Sequence, residues 1–221
     1  MKKIIFIGSA GGAVLSKLLE HSFVRDSSLE AVSDRKCGFL EVAENKGLKS
    51  LILPAADGGE FSDLLYARYQ KKQEAIFLSF YTKILKGDLL KLNSGAIFNC
   101  HPSLLPAFKG LHGFEDTIRS TALFMGCTLH QIDAGMDSGP PLIQAALPID
   151  RKLPFDINRH KIFLAQYYST LQFIKWVHED RLKIDDTGSF FVNGATYHQA
   201  PFSPNLDADF FSSTGIKNEL T

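Results

Sequence analysis

Two short segments concentrate the side chains that can move protons or stabilise developing charge. The first is Asn99-Cys100-His101-Pro102-Ser103-Leu104-Leu105-Pro106. Side chains two apart on a strand share a face, so Asn99 and His101 can point together. An imidazole takes up and releases a proton near neutral pH, and a carboxamide N–H can donate to an oxygen gaining negative charge. A structural alternative stands beside this, because an Asn and a His next to a proline also satisfy the backbone groups of a turn. The second segment is Asp133-Ala134-Gly135-Met136-Asp137-Ser138-Gly139-Pro140. One of its carboxylates can orient His101 or take a proton through water. From spacing alone an ordinary Asp-rich turn is the simpler reading. His112 and His130 can join either group, but the His-x-His and His-x-x-x-His spacings of zinc ligands are absent, so no metal site is expected.

A third candidate is the turn Gly8-Ser9-Ala10-Gly11-Gly12 after the first apolar run. Backbone N–H groups there can hold a phosphate or carboxylate. The spacing is not Gly-x-Gly-x-x-Gly, so a dinucleotide is a poor guess and a plain tight turn reads equally well.

The elements that must position these groups alternate. Apolar, β-branched runs at 4–7, 29–33, 50–53, 75–79 and 96–99 read as strands, separated by helical spacing at 14–19, 38–46, 61–68 and 83–92. Such alternation implies parallel pairing in an open α/β sheet with helices on both faces, and ligands at the carboxyl ends of its strands. After Cys100 the rhythm changes. A Pro- and Gly-rich loop at 102–113 precedes a short helix at 115–120 and strands at 127–132 and 141–147. The longest helix is expected at 156–177, with Ile157, Ile162, Ala165, Tyr168, Leu171 and Ile174 as its apolar face. Phe190-Phe191-Val192 before Asn193-Gly194 predicts a terminal β-hairpin turning on Asn-Gly. Residues 201–221 are polar, with two prolines and an isolated Phe210-Phe211 pair, and are expected to form a peripheral extension to one domain over 1–200.

Lys and Arg number 24 against 24 Asp and Glu, a balance that argues against nucleic acid or an anionic membrane as partner. Apolar residues at 45% and charged residues at 22% exclude disordered and collagen-like classes. Cys37, Cys100 and Cys127 are odd in number and widely spaced, which suits a reducing cytoplasm. The apolar run at the start meets Gly8 too soon for a secretory core or a membrane span.

Together, Asn99-x-His101-Pro102-Ser103-Leu104-Leu105-Pro106, Phe108-Lys109-Gly110-Leu111-His112, Gly126-Cys127-Thr128-Leu129-His130 and Met136-Asp137-Ser138-Gly139-Pro140 resemble the glycinamide ribonucleotide formyltransferases, among the formyltransferases that use 10-formyltetrahydrofolate. The likeness runs from Ile4 to about Tyr197, through Val32-Ser33-Asp34-Arg35 and residues 182–192. It implies a Rossmann-like formyltransferase fold, a catalytic domain over 1–200, and a cytoplasmic enzyme of purine biosynthesis with small-molecule substrates, 10-formyltetrahydrofolate as co-substrate and no metal. The tail and hairpin can pack on the same chain or on a second copy as a homodimer.

By that resemblance Asn99, His101 and Asp137 match the catalytic asparagine, histidine and aspartate. A primary amine would attack the formyl carbon, Asn99 would donate to the oxyanion with help from protonated His101, and Asp137 would raise the imidazole's proton affinity and move the amine's proton toward the departing nitrogen. The folate would lie between 80–85 and 132–137, against Phe80, Tyr81, Lys83, Ile84, Leu85, Leu104, Ile132 and Asp133. The acceptor and its phosphate would meet Gly11, Gly12, Ala13, Pro102 and Ser103. Leu105-Pro106 matches a position where the family's peptide bond is cis. The chain departs from the pattern where the acceptor sits: Gly11-Gly12-Ala13 replaces Gly-Ser-Asn, Thr82-Lys83 replaces Met-Arg, and Ile162 and Ala165 stand where polar residues meet the ribonucleotide. Ser79-Phe80-Tyr81 is closer to sugar-amine formyltransferases. The alternatives are therefore a nucleotide-linked aminosugar or another small amine as acceptor, hydrolysis of the formyl folate, which usually comes with an added regulatory domain, and a non-catalytic folate-binding module.

Overall fold

The structure, a computed structural model, describes residues 3–71 and 75–220. Strands β1 (Lys3–Gly8), β2 (Ser28–Ser33), β3 (Ser50–Ile52), β4 (Ala75–Phe80) and β5 (Ile97–His101) are parallel to their neighbours. β6 (Phe124–Gln131) and β7 (Pro141–Pro148) continue the sheet antiparallel from β5. A strand of two residues, Phe202–Ser203, closes the edge of β7, and with it the sheet among the described residues has eight strands. On this central sheet the expected α/β class holds: it is parallel through its first five strands, with helices on both faces.

Alternation along each strand divides the core. Ile4 and Phe6 of β1, Leu78 of β4 and Phe98 of β5 face one side, where helices α1 (Ala13–Leu18), α2 (Ser22–Ser27) and α3 (Gly38–Asn45) pack. Ile5, Ile7, Phe77 and Ile97 face the other, under α4 (Gly58–Tyr69). Asp57 caps α4 by accepting hydrogen bonds from the Gly59 and Glu60 amides. The chain runs outward from β1 through β2 to β3, then returns to place β4 on the opposite side of β1. The order reverses there, which opens a crevice beyond the carboxyl ends of β1 and β4.

Three expectations change. Residues 83–92 do not form an α-helix: the chain is irregular to Lys86, then winds as a 3-10 segment, Gly87–Gly95, whose two terminal glycines both have positive φ. The hairpin forms, from β8 (Leu182–Ile184) and β9 (Phe190–Val192), but it does not turn on Asn193-Gly194. It turns over 185–189, where the Asp185 carboxylate accepts from the Thr187 and Ser189 amides. Residues 201–220 do not lie at the periphery. They supply the edge strand β10 (Phe202–Ser203) and the fully buried Phe210 of α7 (Phe210–Thr214). Their Asp207 carboxylate gathers Gln172, Lys175, Trp176 and Arg181. The first three belong to the long helix α6 (Phe155–His178), which covers the β6 side of the sheet. Among the described residues three peptide bonds are cis, at Leu105-Pro106, Ala200-Pro201 and Ser203-Pro204. No helix among the described residues is long and apolar enough to cross a membrane.

Candidate active site

A cleft of about 870 Å³ opens at the reversal point. Its floor is the end of β5. Phe98 and Cys100 turn into the core, so Asn99 and His101 project on the opposite side, as their spacing requires. Asp137 reaches the same place from the loop between β6 and β7, where its backbone takes a left-handed conformation with φ of 47°.

Hydrogen bonds fix the roles of the ring nitrogens. His101 is buried, and its Nε2 lies 2.9 Å from the Phe108 carbonyl, which can only accept, so Nε2 carries a proton. Nδ1 faces Asp137 Oδ2 at 3.4 Å, within ion-pair reach. Any proton gained by this imidazole is therefore held on the Asp137 side. The same carboxylate oxygen accepts from the Gly110 amide at 2.8 Å. His130 lies on the other side of the carboxylate, its Nε2 3.6 Å from Oδ1. Burial holds His130 below the ordinary histidine range, against the opposing pull of the Gln131 carbonyl and the Asp137 charge. The neutral ring donates from Nδ1 to the Gln131 carbonyl at 2.9 Å and leaves Nε2 as an acceptor for the Asn99 amide, 3.4 Å away. One Asn99 N–H is thus steadied by His130, and the second is left for a charged oxygen in the cleft.

Gly113 shows how tightly the imidazole is enclosed. A Cβ there would sit 2.6 Å from His101 Nε2 and 2.9 Å from the Phe108 carbonyl oxygen. Gly113→Ala is expected to fold yet lose roughly 100-fold in turnover, the usual consequence of moving a catalytic group by about 1 Å. Steady-state rates alongside a thermal melt test this. A melt like the wild type's with normal turnover would show that the ring tolerates displacement.

Of the other residues singled out by sequence, Phe80, Tyr81, Lys83, Ile84, Leu85, Ile132 and Asp133 line the cleft, as do Gly11, Gly12, Ala13 and Pro102. Two do not take part. Leu104 packs over Gly126 of β6, and Ser103 is buried with its hydroxyl donating to the Ala107 and Phe108 carbonyls, bracing the turn that holds His101. Lys83 and Tyr81 line the cleft without free polar ends: both donate to Asp34 Oδ2 at 2.7 Å, and Lys83 also reaches the Ala56 carbonyl. Burial alone would raise the Asp34 carboxyl, but hydrogen bonds from Lys83 and Tyr81 and the Arg35 charge outweigh it and hold the group below the usual carboxylate range. The loop after β4 is thereby clamped to the end of β2, and Thr82 adds a bond from its amide to Ser9. Gly12 is required by its φ of +77° and by the Phe39 backbone, 2.9 Å from where a Cβ would stand.

Sequence reasoning missed one wall. Ile162 and Ala165 are fully buried and face the sheet; Arg159, His160, Phe163 and Gln166 of α6 line the cleft instead. The expected helix face was correct toward the core at Tyr168, Leu171 and Ile174, while Ile157 is exposed. Polar and aromatic residues on the neighbouring stripe, at i, i+1, i+4 and i+7, were the signal available.

A formyl transferase family profile matches residues 2–154. Among curated relatives, the trifunctional purine biosynthetic protein adenosine-3 of Drosophila pseudoobscura pseudoobscura is 32% identical over 67% of this chain, which spans only 12% of that protein's length. The phosphoribosylglycinamide formyltransferase of Bacillus subtilis (strain 168) is 29% identical, over 68% of this chain and 81% of its own. Among solved structures, glycinamide ribonucleotide transformylase 1 from Symbiobacterium toebii superposes with a TM-score of 0.75 at 28% identity, covering 87% of this chain and 93% of that one.

Proposed function

The chain belongs to the formyl transferase family, and from that premise we propose that it transfers a formyl group from 10-formyltetrahydrofolate to a primary amine of a small acceptor, nominally glycinamide ribonucleotide. The observation that carries this reading is the meeting of Asn99 and His101 at the end of β5 with Asp137 from the β6–β7 loop at one point of the cleft. A binding module has no need of an imidazole held between a carbonyl and a carboxylate.

The folate fits against Phe80, Ile84, Leu85 and Ile132, where apolar walls suit a flat heterocycle. It supplies an activated formyl carbon. Asn99 then donates its second N–H to the formyl oxygen as negative charge builds there. His101, protonated at Nδ1, adds positive charge beside it. Asp137 keeps that proton in place and takes up the proton of the attacking amine, returning it toward the leaving nitrogen.

An aminosugar linked to a nucleotide is the second reading of the acceptor. It is favoured by Gly11-Gly12-Ala13, which offers the cleft no hydroxyl or amide side chain, and by Phe163 on the facing wall. Assay of formyl transfer from 10-formyltetrahydrofolate to glycinamide ribonucleotide and to nucleotide-linked aminosugars tests both. Transfer to the ribonucleotide is the expected result; transfer to the sugars alone moves the acceptor and keeps the chemistry. Folate binding without transfer to any amine would defeat the enzyme reading.

A further inference from the structure

The cleft wall formed by α6 carries a cation with uncommitted donors. Arg159 makes no hydrogen bond or ion pair among the described residues, yet its guanidinium is held in place, 5.1 Å from the centre of the Phe114 ring. Stacking of this kind fixes the plane of a guanidinium while leaving its edge N–H groups free for a forked contact with an anion. One residue on, His160 stacks on Phe163, with ring centres 5.9 Å apart and planes 24° from parallel. Asp156, a turn earlier, is the one carboxylate that α6 presents to the cleft, and it is exposed.

The helix also acts as a ruler. Gln166 donates at 2.8 Å to the carbonyl of Cys100, between Asn99 and His101, so its position marks the reacting centre. Arg159 lies seven residues back, about 10 Å along the axis, and Phe163 falls between the two. From the reacting centre outward the wall thus reads polar, then aromatic, then cationic. Resting on the formyl-transfer reading, we propose that this face selects the acceptor: Arg159 binds an anionic group, phosphate or carboxylate, about 10 Å from the amine, and Phe163 covers the face of the ring that joins them. An acceptor with a neutral far end leaves the guanidinium without a partner.

Calorimetric titration with ribose 5-phosphate, glucuronate and ribose tests the anion contact without turnover, and acceptor kinetics with glycinamide ribonucleotide test it with turnover. The wild type is expected to bind one of the charged sugars at least roughly tenfold more tightly than ribose, and which of the two identifies phosphate or carboxylate. Arg159→Ala should erase that preference and raise the acceptor KM roughly 10- to 100-fold, the usual worth of a charge-assisted bond. The KM for 10-formyltetrahydrofolate should hold, and Arg159→Lys should recover only part of the loss. Arg159 is exposed, and a thermal melt checks that the variants fold. A wild type with no preference for a charged sugar, or an Arg159→Ala variant that keeps the preference and the acceptor KM, overturns the proposal. Charged-sugar binding through Arg159 without transfer to any amine would instead sink the formyl-transfer reading and leave the anion contact standing.

Discussion

Asp137→Asn is expected to lower turnover by roughly two to four decades, the range that a positioned acid-base group contributes. Asparagine is the informative replacement. It tolerates the left-handed backbone at this position, where φ is 47°, better than any other side chain of similar shape. Its amide oxygen can still accept from Gly110 N–H, so the loop keeps its anchor. What disappears is the charge facing His101 Nδ1 at 3.4 Å and the ability to take a proton from the amine. Affinity for 10-formyltetrahydrofolate should stay near the wild-type value, because residues 80–85 are untouched and the 132–137 loop keeps its anchor on Gly110. Rates within about threefold of wild type would remove Asp137 from the proton path.

Asn99→Ala is expected to cost about 3 kcal/mol of barrier, or two to three decades in turnover, by deleting a donor to the charged oxygen. The side chain is half-buried and its one side-chain partner among the described residues is His130, so truncation leaves a neutral ring acceptor without its N–H and little else disturbed. The loss should fall on kcat and on kcat/KM alike, the mark of a contact made in the transition state. Retention of turnover within tenfold would assign the oxyanion to other donors.

Much of the sheet is legible in the sequence because β1 and β4 are buried on both faces and read as largely apolar runs. Asn99, His101 and Asp137 are legible for a different reason: their motifs combine residue types and spacings that few turns need. Contacts distant in sequence hide the rest. Residues 83–86 have helical spacing, but Lys83 is pulled across to Asp34, 49 residues away. The tail looks polar in composition, yet Phe202 and Phe210 are buried one at a time, and Asp207 ties that segment to α6 and Arg181. Arg159 and Phe163 share a stripe of α6 that the sequence shows, but its bearing on the cleft comes from Gln166 being anchored at Cys100, a contact 66 residues apart in the chain.

The two-residue strand at the edge of β7 has a consequence for the protein in a crowded solution. An open strand edge is a template on which another chain can extend the sheet. Here that edge is occupied by Phe202–Ser203, and the flanking residues are Pro201 and Pro204, neither of which has an N–H to offer an incoming strand. The opposite edge, β3, is three residues long. The outermost strand on each border of the sheet is thus short, and one of them is flanked by prolines, so neither offers an incoming chain a long row of donors on which to extend the sheet.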